Sequence, residues 1–120
     1  MDREELKART KAFAVRVVKM AESLPRMRAA DIVARQVIRS ATSIGANYRA
    51  ACRARSHREF TAKLGIVAEE ADESLYWLEI LVETGLMPKA RLKDLIQEAD
   101  ELTAIFTAAS HSARQRRDQK

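Results

Sequence analysis

The chain has 120 residues, enough for one domain with a single core, and 47% of them are hydrophobic but only 5% aromatic. Three glycines and two prolines leave few turns, and no segment shows the β-branched, period-two pattern of a strand, so long helices are expected. The formal charge is +5, which favours an acidic partner; the lone Cys52 excludes an internal disulfide and a multi-cysteine zinc site. The charged start MDREELKARTK lacks the apolar stretch of a signal peptide, and no run approaches the ~18 apolar residues of a membrane span. A cytoplasmic protein without membrane contact is expected.

Leu6, Thr10, Phe13, Val17, Met20 and Leu24 recur at alternating four- and three-residue steps, which predicts one helix ending before Pro25. After the connection PRMR, a second stripe runs through Val33, Val37, Ser40, Ile44, Asn47 and Ala51. Gly45 lies inside it; a helical glycine costs ~1 kcal/mol against alanine, so a bend or a close approach is expected there. Ser56 followed by Glu59 matches a capping box and opens the third helix, with Phe60, Leu64, Val67, Ala71, Ser74, Leu78 and Leu81 on its inner face. Gly85 closes that helix as a left-handed cap, and Pro88 opens the next. Leu92, Leu95, Ala99, Leu102, Phe106 and Ala109 form the fourth stripe. The pattern predicts an all-α fold, an antiparallel up-down-up-down four-helix bundle over residues 1–113. Residues 114–120 are read as a basic, disordered C-terminal tail, with fraying from Ser110 onward.

The third helix is more apolar than one stripe requires. Ile66, Trp77 and Ile80 form a second line beside the core line, which predicts a subunit interface anchored by Trp77; the alternative is a wide internal face. Asn47 falls on the core stripe and needs partners if buried. Ser40 and Ser74 are the nearest candidates, so a polar group fixing register between the second and third helices is expected.

Charge is segregated along the chain. Residues 29–58 carry six arginines against one aspartate, whereas residues 59–87 carry one lysine against seven acids. Two readings follow for Arg39, Arg49, Arg53, Arg55 and Arg58. They pair with the acids of the third helix, or they form a phosphate-binding patch completed by Arg114, Arg116, Arg117 and Lys120. Apart from Tyr48, which the spacing places near the core, no aromatic residue interleaves with these arginines. Base stacking is therefore not expected.

Metal chemistry finds one opening. No Glu is followed three residues later by His, which excludes a di-iron bundle. The tetrapeptide EADE occurs twice, however, placing Glu70/Glu73 and Glu98/Glu101 as carboxylate pairs on two helices. Facing pairs could hold Mg²⁺ and grip a triphosphate. The pattern is similar to the all-α nucleotide pyrophosphohydrolases, except that Glu101 stands where those enzymes carry Asp.

The stretch Gln36-Val37-Ile38-Arg39-Ser40-Ala41-Thr42-Ser43-Ile44-Gly45-Ala46-Asn47 resembles the second helix of the 23S rRNA intervening-sequence protein family. Ser43, Ile44 and Asn47 stand in register with its motif, as do Arg55, Ser56, Glu59 and Phe60. The runs NYRAACRARS and KLGIVAEEADESLYWLEIL resemble a branch with Gly at the usual Pro position; Ala50 departs from the Glu of both branches. The resemblance, over about residues 10–110, implies a four-helix bundle, a closed homo-oligomer (commonly a five-fold ring) and RNA or nucleoprotein binding. It implies no established enzymatic activity. The expected function is therefore a non-catalytic, cofactor-free oligomeric bundle with RNA as first candidate ligand. The alternatives are a Mg²⁺-dependent nucleotide hydrolase at the four glutamates and a purely structural protein-interaction scaffold.

Overall fold

The computed structural model describes the backbone of residues 1–118 and the side chains of residues 1–116. Four helices follow in order: α1 (Arg3–Glu22), α2 (Arg28–Cys52), α3 (His57–Glu83) and α4 (Lys89–Asp118). There is no strand among the described residues. Short connections force antiparallel neighbours, giving the up-down-up-down bundle that the periodicity predicts. The molecule is a rod of 51 × 24 × 21 Å.

The helix ends are set locally. The Asp2 carboxylate accepts from the Glu5 amide at 2.8 Å and caps α1. The Ser56 hydroxyl accepts from the Glu59 amide at 3.0 Å, as a capping box requires. The Glu59 carboxylate reaches back one residue further than usual, to the Arg55 amide at 3.2 Å. Gly85 takes φ 77° after α3, a conformation that favours glycine, and its amide donates to the Val82 carbonyl at 3.0 Å.

The predicted stripes form the core. Phe13 and Val17 of α1, Val37 and Ile44 of α2, Val67, Leu78 and Leu81 of α3, and Leu92, Leu102 and Phe106 of α4 are fully enclosed. Gly45 makes the close approach that its position predicts. A Cβ there would meet the Thr10 hydroxyl oxygen of α1 at 3.1 Å, tighter than an ordinary contact. Bare backbone at this point lets α1 settle onto α2.

Two features depart from the sequence pattern. The chain does not fray after Ser110: α4 stays helical through Asp118, with Ser110 and Ala113 buried. The cause is a neighbour, because the His57 ring of α3 bonds the Ala113 carbonyl at 2.9 Å. A carbonyl only accepts, so His57 Nε2–H is the donor. Residues 119 and 120 lie outside the described residues, as does the side chain of Arg117. The register pin also differs. Asn47 is half-buried and its side-chain amide donates to the Ser43 carbonyl of its own helix at 2.9 Å. The bond between α2 and α3 belongs to Ser40 and Ser74, both fully buried, whose hydroxyls meet at 3.0 Å. Tyr48, one residue on, takes the core place instead of Asn47, tilted against Phe106 with ring centroids 5.2 Å apart.

Candidate nucleic-acid interface

The two EADE tetrapeptides do not converge on one site. Each is gripped by a separate arginine. Arg39 of α2 donates to Glu70 at 3.1 Å and also to Glu73, within α3. Glu73 further accepts the Trp77 indole N–H at 3.0 Å. Arg9 of α1 forms a two-pronged bond to Glu98, both contacts at 2.7 Å, and reaches Glu101 at 3.0 Å. These bonds hold both guanidinium pKa values above the ordinary arginine value, chiefly through Glu98 for Arg9 and Glu73 for Arg39. α1 packs more closely on α2 than on α4, and the Arg9 clasp adds a polar tie between α1 and α4 beside their shared core. Among the described residues no group of three or more His, Cys, Asp or Glu side chains is placed to hold a metal ion. Glu70, Glu73, Glu98 and Glu101 therefore do not assemble the shared cation site that the alternative reading requires.

Arg39 is thus committed inside the chain and drops out of the basic set. Arg49, Arg53, Arg55, Arg58, Arg114 and Arg116 are all exposed. Arg55 makes only a marginal contact with Glu59, at 3.9 Å, and Arg114 donates to the Ser110 hydroxyl at 3.3 Å. Antiparallel packing gathers these residues at one end of the rod, where α1 and α3 begin and α2 and α4 finish. The structure adds partners that sequence reasoning missed. Lys7 and Lys11 of α1 join Arg49 and Arg53 of α2 around an open cleft of about 430 Å³, in which Glu4, bonded to Lys7, is the only acid among the described residues. Lysines on the preceding helix, far from the arginines in sequence, carry no local signal; only the α1–α2 pairing unites them.

The proposed interface line on α3 divides. Ile66 is 39% exposed, whereas Trp77 and Ile80 are half-buried and pack against the core. Tyr76 is 54% exposed and sits edge-on to Trp77. Val15 of α1 and Ile32 of α2 are also exposed, and the former lines an apolar cleft with Ala14, Val18 and Thr42.

Tyr48 anchors this end of the core and provides a pH handle. Burial pushes its phenol up to about 12, with the neighbouring Cys52 side chain adding to the effect. The ordinary value is ~10, so between pH ~10 and ~12 the unfolded chain loses a proton that the folded chain keeps. Stability from this group is intact below pH ~10 and falls as pH rises towards about 12, by at most a few kcal/mol. Urea unfolding at a series of alkaline pH values should show this fall in the wild type and a flatter profile in Tyr48→Phe.

Four amphipathic helices, arginine-gripped acid pairs on the sides and a basic end define a four-helix-bundle protein with one basic pole. The chain belongs to the 23S rRNA-intervening sequence protein family, whose profile matches residues 4–108. A crystal structure of a protein with unknown function from the S23 ribosomal protein family of Bacteroides thetaiotaomicron is similar, with a TM-score of 0.84 and 32% sequence identity. The match covers 92% of this chain and 99% of that one. No match is found among curated proteins. No helix among the described residues is long and apolar enough to cross a membrane.

Proposed function

We propose that this protein is a non-catalytic, self-associating bundle that binds RNA, alone or in a nucleoprotein, through its basic end. The observation that carries the reading is the convergence of Lys7, Lys11, Arg49 and Arg53 around one cleft with a single acid among them. Arg9 and Arg39, which grip acid pairs within the chain, do not line this cleft, and of its four cations Lys7 alone is paired, with Glu4, among the described residues. Unneutralised cations on a rigid helical frame attract a polyanion and release its counterions, which gives affinity without sequence preference. The test is RNA binding by fluorescence polarisation across a salt series. Affinity should fall steeply with salt and collapse when the cluster is replaced by alanine; equal binding by the alanine variant would remove the cluster from the reading.

Self-association draws on two unlike surfaces. The outer side of α3 offers Ile66 and Tyr76 beside the exposed acids Glu69, Asp72, Glu79 and Glu83. The α1–α2 side offers Val15 and Ile32 beside the exposed bases Lys11, Arg16, Lys19 and Arg35. Their apolar content matches and their charges are opposite. Contact between unlike patches propagates head to tail and gives a ring when the rotation between copies closes, as the five-fold ring implied by the sequence resemblance requires. A ring would also repeat the basic end and multiply its avidity. Light scattering should give a multimer for the wild type and a single chain for the Ile66→Glu, Tyr76→Glu double variant. A wild-type mass of one chain would refute self-association.

A further inference from the structure

A second cleft, of about 510 Å³, opens at the same end of the rod and differs in chemistry from the lysine–arginine cleft. Its walls include Arg3 from the start of α1, Arg55 from the α2–α3 connection and Arg116 from the last turns of α4, with no acid lining it among the described residues. Its volume suits a small ligand or one unit of a longer one. The positive character comes from these side chains and not from the start of α3, whose amides are met by Ser56 and whose Glu59 is turned to the Arg55 backbone.

Unlike the first cleft, this one contains aromatic surface. Phe60 and His57 line it, with ring centroids 6.1 Å apart. The His57 ring is fixed by its bond to the Ala113 carbonyl. The Arg3 guanidinium lies over the Phe60 ring, 5.3 Å from its centroid. A flat cation resting on a half-buried ring beside open space marks a face where another flat group can stack. An exposed cation–π contact is weaker than a base stacked on an aromatic ring, so a base can take the place of Arg3. The displaced guanidinium would then turn, with Arg55 and Arg116, toward the phosphate.

We infer that this cleft holds one unpaired nucleotide of a single strand, its base stacked on Phe60 and its phosphate met by Arg3, Arg55 and Arg116. The inference rests on the RNA-binding reading and sharpens it. It replaces a purely backbone contact with one that needs an exposed base face, which a duplex does not offer. It also departs from the expectation, drawn from spacing, that no aromatic residue interleaves with the arginines. Phe60 and Arg3 are 57 positions apart in the chain, and only the bundle brings them together.

The test compares two polyanions, a short fluorescein-labelled oligoadenylate and inorganic polyphosphate, the second having no bases. Phe60→Leu keeps an apolar side chain of similar bulk and removes the ring face. It should weaken oligoadenylate binding about five- to one-hundredfold, the range for loss of one stacked base, and leave polyphosphate binding unchanged. Phe60→Trp should keep the wild-type affinity for oligoadenylate. Wild-type oligoadenylate affinity in Phe60→Leu, together with weakening in the Lys11, Arg49 and Arg53 alanine variant, would overturn this inference and leave the RNA reading standing. Equal weakening of Phe60→Leu on both probes would make the ring a packing element and overturn the inference too. No binding of either probe by the wild type would overturn both.

Discussion

The triple variant Lys11→Ala, Arg49→Ala, Arg53→Ala is expected to bind single-stranded RNA about one hundredfold more weakly than the wild type at ~0.1 M salt. All three side chains are exposed, and none is engaged with an acid among the described residues. Each phosphate contact on a single strand contributes a salt slope of ~0.7, which is ~0.7 decades of affinity for every tenfold dilution below molar salt. Three contacts therefore amount to about two decades, and the slope itself should fall by ~2. The fold should be untouched, since alanine is the best helix former and no hydrogen bond from these side chains is lost. A matched set, Arg9→Ala with Arg39→Ala, removes two cations that already serve glutamates within the chain. That pair should change the salt slope little. Polarisation titrations at several salt concentrations measure all of these slopes, and identical slopes for triple variant and wild type would defeat the electrostatic assignment.

Phe106→Ala should destabilise the bundle by about 3–5 kcal/mol, the range for deleting a buried phenyl group. Phe106 is fully enclosed and tilts against Tyr48, so its loss leaves a cavity lined by α2 and α4 and strips a contact from a second aromatic side chain. In a domain with few aromatic residues, no other ring stands ready to fill the space. The same loss should lower the melting temperature by roughly 10–20 °C. Urea unfolding at fixed protein concentration is the appropriate measurement, because association would add to the apparent stability. A cost under ~1 kcal/mol would mean that the site collapses freely and that the core is looser than its burial indicates.

The fold was readable because its determinants are local. The alternation of three- and four-residue steps from Leu6 to Val17, from Val33 to Ile44, from Leu64 to Leu81 and from Leu92 to Phe106 marks each inward face, and the same residues are buried. Capping chemistry at Ser56 and the left-handed turn at Gly85 are written into a few adjacent residues. The errors fall where a neighbour overrides the pattern. Ala113 lies beyond the last apolar repeat, yet His57 holds that segment helical. Asn47 sits at a core spacing, but Tyr48, four residues after Ile44, takes the buried place, and the Asn47 amide bonds back onto its own helix.

Charges were the least legible part. By sequence, Arg39 is indistinguishable from Arg49, and the two EADE runs read as one repeated motif. Arg39 faces the acids of α3, while Arg49 faces the lysines of α1. The second EADE run belongs to Arg9, a residue that nothing in the α4 sequence indicates. Long charged side chains choose partners across helices, at separations that no window along the chain can span.

Periodicity and capping act over a few residues, so the amino-acid order already specifies four helices, which residues they bury and where most of them stop. Which cations are paired within the chain and which are left facing outward follows from packing alone. The same packing sets Phe60 beneath Arg3 and beside Arg116. Those placements depend on which helices lie side by side and at what height, a property of the packed bundle that no single helix contains.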